Sequence, residues 1–349
     1  MTLEEIKKTI QEPDEQAKAL CKKRWDSIAK PLHSLGKLED AFVKIAGITG
    51  SSQITLEKKA LVIMCADNGV VEEGVTQTGQ EVTAIVTENF MKKQATASLL
   101  CEAAGVDIVP VDIGVAVDTS VINRKIAYGT KNMTKGPAMS RAQAVEAIET
   151  GISIVEGLKE KGYQILATGE MGIGNTTTSS AVASVLMHLP VEEVTGRGAG
   201  LSSAGLDRKF RAIKRAIQVN QPDPRDPVDV LAKVGGLDLA GLTGVFLGGA
   251  ACGVPVVIDG FISAVAALCA VSLCSLAREY MLASHVSKEP AARQVLESLG
   301  LDAMLHCDMC LGEGTGAVML FPVLSMAQKV YNGMSTFQEI QVEEYQPLD

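Results

Sequence analysis

The sequence predicts an α/β protein built on a parallel sheet with helices on its faces, and three observations lead there. Short runs of Val, Ile, Leu and Ala recur along the chain. Each closes on Gly, Asp, Asn or Thr and is followed by a longer stretch of helical period. The apolar fraction is 47% while aromatics supply only 4%, so the core has to be aliphatic, as buried parallel strands require. At 349 residues the chain accommodates one large domain or a large domain with a smaller companion.

Taken in order, residues 2–20 predict a helix, and 31–39 (PLHSLGKLE) a turn that enters a second helix through about residue 45. The first strand is 60–65 (ALVIMC), closed by Ala66-Asp67-Asn68-Gly69. A helical pattern over 81–105 leads to a second strand, 106–113 (VDIVPVDI), which ends at Gly114. Another helix, 140–161, precedes the run 163–168 (YQILAT), which enters GEMGIGNTTTSS and the helical stretch 181–189. A helix over 206–220 stops at a Pro-rich turn, 221–227, and helical residues 228–233 follow at once, so the turn is no domain linker. The run 254–258 (VPVVI) ends in Asp259-Gly260. The uncharged stretch after it, 261–276, is short for a membrane span and predicts a buried helix. In an open parallel sheet the strand ends Asp67, Gly114, Glu170 and Asp259 then share one edge, where ligands bind.

The chemistry concentrates in three places. In 169–180 the glycines Gly169, Gly172 and Gly174 let a ligand approach the backbone, and Asn175 with Thr176 starts a helix whose N–H groups suit a phosphate. Without a ligand the same stretch is a plain glycine-rich turn. Glu170 would repel a phosphate and should face a hydroxyl, a sugar or a partial positive charge. A second glycine loop, 196–200 (GRGAG), offers another wall for the phosphate. In 311–317 (LGEGTGA), Glu313 lies between glycines at a helix start, either as a capping carboxylate or as a general base. Asp67 and Asp259 are equally open between site residue and cap.

The net charge of −9, with basic residues scattered, argues against a nucleic-acid surface or an anionic membrane partner. The first twenty residues lack the apolar core of a secretory signal, so a cytoplasmic protein is expected. Most of the eight cysteines sit in apolar runs, as reduced core residues do. Cys307 and Cys310, after His306, have redox or metal spacing but no second pair to complete a zinc site. A sugar kinase or nucleotide hydrolase would want a GxxxxGK[ST] loop, which is missing.

Together, GEMGIGNTT (169–177), MCADNGV (64–70), the long run NQPDPRDPVDVLAKVGGLDLAGLTGVFLGGAACGVPVVIDGF (220–261) and LGEGTGA (311–317) resemble the nicotinate-nucleotide:dimethylbenzimidazole phosphoribosyltransferase family, through nearly the whole chain. The resemblance implies a Rossmann-like large domain, 31–299, and a small helical domain formed by both chain ends, 1–30 with 300–349. It implies transfer of the 5-phosphoribosyl group of nicotinate mononucleotide to the lower-ligand base of a cobamide, with inversion at C1′ and release of nicotinate. No metal or organic cofactor is implied. Glu313 matches the family's general base. Gly172, Gly174, Asn175 and Thr176 match its phosphate loop, Gly198 its second glycine loop, and Glu170 and Lys209 polar residues around the nucleotide.

The departures concern the acceptor. Asn68 stands where the family usually has His, and Cys310 where Arg is common. Thr78 and Val86 fall at the Ser and Gln of the acceptor pocket, next to Leu311. Val in place of Gln removes a polar group from the base, so the acceptor is either dimethylbenzimidazole or a phenol such as p-cresol. The family implies a dimer with the site near the subunit interface, either a homodimer or a heterodimer with a homologous subunit. In the latter case this chain could be a partner with little activity alone.

Overall fold

A computed structural model of the chain describes residues 1–346. Six strands form one sheet: β1 (Lys59–Ala66), β2 (Asp107–Gly114), β3 (Ile122–Asn123), β4 (Ile165–Met171), β5 (Val256–Ile258) and β6 (Met281–Ala283). Every pairing is parallel, in the order β3-β2-β1-β4-β5-β6. This is the order of an open, doubly wound sheet, in which the chain leaves β1 toward one edge and returns through β4 toward the other. The predicted parallel sheet is thus present, with two strands more than the sequence announced. β3 is two exposed residues at the edge, and β6 is three buried residues beside β5, too short for periodicity to signal.

The burial pattern explains the strands. All eight residues of β1 are buried, and their side chains alternate between two cores. Ala60, Val62 and Met64 join the core under the helices Arg141–Glu160, Leu237–Cys252 and Phe261–Leu273. Leu61, Ile63 and Cys65 join the opposite core, which includes residues of the helices Glu15–Ser27, Lys37–Thr49 and Thr315–Gly333. In that second core Trp25, Phe42 and Tyr331 form an aromatic cluster with ring centroids 4.8 to 5.7 Å apart. The two chain ends also meet through a bridge between Ile28 and Thr336.

Three expected elements differ. The helix over 2–20 is two helices, Leu3–Thr9 and Glu15–Ser27, because Pro13 cannot donate within a helix and Asp14 caps the second one through Ala17 N. The pattern over 81–105 divides into Glu81–Met91 and Thr96–Ala104, with Lys93 between them in the left-handed region at φ 55°. β4 starts at Ile165 and continues through Met171, so Glu170 belongs to the strand and not to the turn. The stretch after Gly260 is a buried helix, as expected. Among the described residues no helix is long and apolar enough to cross a membrane.

Candidate active site

A cleft of about 340 Å³ opens at the carboxyl edge of β4 and β5. It is walled by the turn after β4, the loop 197–201, the segments after β5 and β6, residues 310–313, and the stretch 75–86. One end is an anion pole. Gly174, at φ 95°, turns the chain into the helix Asn175–Met187, and Gly198 (φ 53°) packs against Thr176, where an added Cβ would lie 3.0 Å from Oγ1. Lys209, on the helix Ser203–Asn220, is fully buried and donates to Thr176 Oγ1 at 2.9 Å and to Gly196 O at 3.1 Å. Burial pushes its ammonium down to about 8, opposed by the negative charge of Glu289. A cation held only by neutral oxygens is well placed to gain from an anion.

Glu313 stands elsewhere on the wall, in a turn shaped by the sequence GEG. Gly312, Glu313 and Gly314 all have positive φ, at 86°, 59° and 82°, a conformation natural for glycine and costly for Glu by about 1–3 kcal/mol. The turn is pressed onto the sheet: a Cβ on Gly169 would lie 2.7 Å from Glu313 O, and one on Gly314 would strike Leu61. Glu313 Oε2 accepts a hydrogen bond from Ala97 N at 3.3 Å. Burial raises its carboxyl above the ordinary range, and the charge of Asp259 raises it further against that hydrogen bond.

Two buried acids hold this arrangement. Asp259 accepts from Gly314 N (3.2 Å), Gly316 N (2.8 Å) and Ala317 N (3.0 Å), so it caps the helix Thr315–Gly333 that Glu313 precedes. Glu170 accepts from Asn175 Nδ2 and, at 3.4 Å, from Glu313 N, which links the anion turn to the Glu313 turn. Burial holds Glu170 well above the usual carboxylate range, and the charge of Asp238 adds to this.

Glu313, Glu170, Gly172, Gly174, Asn175, Thr176, Gly198, Thr78, Val86 and Leu311 all line the one cleft, and Lys209 reaches it through Thr176. Val86 packs with Val82 and Ile173 against the core that holds Leu61 and Ile63, and all three line the cleft. Asp67, open between site and cap, lies elsewhere: it is buried, and its Oδ2 accepts from Ala116 N at 2.7 Å, tying β1 to the residues after β2. Asn68 is buried beside Thr178, whose hydroxyl donates to its Oδ1 at 3.4 Å. Cys307 and Cys310 are exposed free thiols, Cys310 at the rim of the cleft. Among the described residues no three His, Cys, Asp or Glu side chains converge to hold a metal ion.

Sequence reasoning passed over His285, Ser287 and Glu289, which the loop after β6 brings to the cleft, and Arg197, which lies within a noted loop but was not singled out. The only signal for the first three was polar residues after an apolar triplet, MLASHVSKE, and the triplet is too short to be read as a strand. His285 packs behind the Glu313 turn, where a Cβ on Gly316 would strike its ring and Ser284 Oγ lies 3.0 Å from its Nδ1.

An anion pole, a half-buried carboxylate and an apolar wall in one cleft over a doubly wound sheet fit an enzyme that holds a phosphorylated sugar and deprotonates an attacking group. A family model described as phosphoribosyltransferase matches residues 10–342, and the chain belongs to that family, as a pentosyltransferase. More particularly, it is similar to the nicotinate-nucleotide–dimethylbenzimidazole phosphoribosyltransferases of Ruminiclostridium cellulolyticum (51% identical, covering 100% of both chains) and Acetivibrio thermocellus (50% identical, 99% of this chain and 98% of that one). The crystal structure of CobT from Thermus thermophilus superposes with a TM-score of 0.89 at 37% identity, over 95% of this chain and 100% of that one.

Proposed function

We propose that this enzyme moves the 5-phosphoribosyl group of nicotinate mononucleotide to 5,6-dimethylbenzimidazole. The C1′ bond to the pyridinium nitrogen of nicotinate breaks, and a bond from C1′ to a ring nitrogen of the acceptor forms. The acceptor's N–H proton passes to Glu313. Nicotinate leaves readily because its ring nitrogen is positively charged in the substrate, so the protein's task is to hold the acceptor against C1′ and remove one proton. The observation that carries this reading is the placement of Glu313 in the same cleft as the Thr176–Lys209 anion pole.

In this reading the 5′-phosphate sits against Gly172, Gly174, Asn175, Thr176 and Gly198, with the charge of Lys209 behind Thr176. Thr78, Val86 and Leu311 border the acceptor. A second acceptor class, phenol or p-cresol through its oxygen, is supported by the side chains around Val86, which are apolar. We further propose a cytoplasmic dimer, and that the helices of 1–30 and 300–349 act as one small unit against 31–299.

The test is an assay of nicotinate release from nicotinate mononucleotide with dimethylbenzimidazole or phenol offered separately, alongside size exclusion of the chain expressed alone. Turnover with dimethylbenzimidazole by a dimer of this chain is expected. A monomer without activity toward either acceptor would favour the role of partner in a heteromeric enzyme.

A further inference from the structure

Asp238 is a fully buried acid that the proposed chemistry does not use. It sits in the first turn of the helix Leu237–Cys252, where its Oδ1 accepts from Leu239 N at 3.0 Å. Its Oδ2 is buried with no hydrogen-bond partner among the described residues. Leaving a carboxylate oxygen in that state is costly. Burial holds the carboxyl up to about 7, so below that pH it is a neutral acid that adds no charge to its surroundings.

Those surroundings are the underside of the anion turn. A Cβ on Gly172 would lie 2.8 Å from Asp238 Oδ2 and 2.9 Å from Asn68 Nδ2, and would strike Ala66 O. On the other side, a Cβ on Gly236 would strike both Asp238 Oδ1 and Asn68 Oδ1. The two side chains therefore lie together between two glycine backbones, just beyond the end of β1. Asn68 carries the contact onward: its Oδ1 accepts from Thr178 Oγ1 at 3.4 Å, and its Cβ lies 3.3 Å from where a Cβ on Gly174 would stand. Both glycines of the turn rest on this buried pair, Gly172 on Asp238 and Asn68, Gly174 on Asn68.

We propose that Asp238 is a positioning residue for the phosphate, holding the Gly172–Gly174 backbone from beneath, directly at Gly172 and through Asn68 at Gly174. This rests on the proposed reading that the 5′-phosphate sits against that turn. Glycines have no side chains with which to hold a shape, so a turn built of them takes its shape from what lies under it. In a close-packed interior, emptying the space under Gly172 lets the backbone sink and moves the start of the helix Asn175–Met187 away from the anion. An amide of the same size fills that space as the neutral acid does.

The experiment compares Asp238→Ala and Asp238→Asn with the wild type. By calorimetry, Asp238→Ala should bind ribose 5-phosphate roughly 10- to 100-fold more weakly, the range that one hydrogen bond to a charged group supplies. Asp238→Asn, which keeps the shape, should stay within about threefold of the wild type. Asn68→Ala, which empties the other half of the support, should show the loss as well and serves where Asp238→Ala does not fold. In turnover, the KM for nicotinate mononucleotide should rise in Asp238→Ala, while kcat at saturating nucleotide and the KM for the acceptor stay near wild type, a split that a general loosening of the fold does not produce. Lys209→Met, which removes the charge behind Thr176, is the control for where the phosphate sits. Binding weakened in Lys209→Met but unchanged in Asp238→Ala and Asn68→Ala would overturn the assignment, as would a lower kcat with both KM values raised together. Binding unchanged in all three variants would overturn it along with the placement of the phosphate. The expected binding pattern without any nicotinate release would overturn the transfer reading and leave the role of Asp238 standing.

Discussion

Asp259 fixes Glu313 without touching its side chain: Oδ2 of the one accepts from the backbone N–H that follows the other, Gly314 N, at 3.2 Å. Two further N–H groups, of Gly316 and Ala317, converge on Oδ1. Asp259→Ala leaves three helix-start donors without their acceptor and should cost about 1–2 kcal/mol of stability. The Glu313 turn, already at a strained φ, then loses its clamp. The expected outcome is a lower Tm together with a fall in kcat that exceeds any change in KM for nicotinate mononucleotide, measured by calorimetry and steady-state nicotinate release.

Glu313→Gln preserves the shape of the side chain and removes the basicity. A general base contributes roughly 10²- to 10⁴-fold, so kcat should fall by that order while the nucleotide still binds. Turnover within a few-fold of wild type would show that the proton leaves by another route.

Gly169→Ala tests position separately from chemistry. The new Cβ would lie 2.7 Å from Glu313 O and 3.0 Å from Gly314 N, so the turn must shift although every side chain of the cleft is intact. A displacement near 1 Å in a reacting geometry can cost about 10²-fold in rate. Reduced kcat with unchanged binding of ribose 5-phosphate is expected.

The pH dependence has two signs. In the proposed role Glu313 acts as its carboxylate, and its raised carboxyl places the acid limb of the kcat profile above the ordinary carboxylate range. In the proposed role Lys209 acts as its ammonium, which burial pushes down to about 8, so KM for the nucleotide should climb as pH rises through that region. Lys209→Met should raise KM at neutral pH and flatten the alkaline climb.

Stability follows a further acid. Burial pushes Asp238 up to about 7 from 3.8, so between those values the folded chain keeps a proton that the unfolded chain releases. Folding stability from this group is therefore greatest at low pH and is lost as pH rises through that window. Asp238→Asn cannot ionise, and its Tm relative to wild type should improve as pH rises from about 4 to about 7.

Much of this was legible in the chain. β1 and β2 carry enough aliphatic residues to be seen, and the alternation of strand and helix pointed to a parallel sheet. The motif 169–180 and the GEG around Glu313 were both visible, and they form two adjoining walls of the cleft. What escaped was non-local. Asp259 serves backbone groups of Gly314, Gly316 and Ala317, more than fifty positions further on, so nothing near Asp259 could decide between cap and site. Asp67 had the same local appearance and serves Ala116. Glu289 follows a three-residue strand whose pattern is too brief to place it at the sheet edge. Pro13 was visible, but a helical period either side of it masked the break.

The clamp on Glu313 also bears on the order in which the chain is made. A nascent polypeptide that has emerged through β6 already contains the glycine turns, Lys209, Asp259 and all six strands. The carboxylate proposed to take the acceptor's proton comes from the segment synthesised afterwards, and it is seated only when the N–H groups beyond it reach an aspartate that has been waiting since β5. The proposed base is thereby seated only as the helix Thr315–Gly333 docks, and a polypeptide interrupted before residue 313 lacks both that carboxylate and the apolar face that covers Leu61 and Ile63.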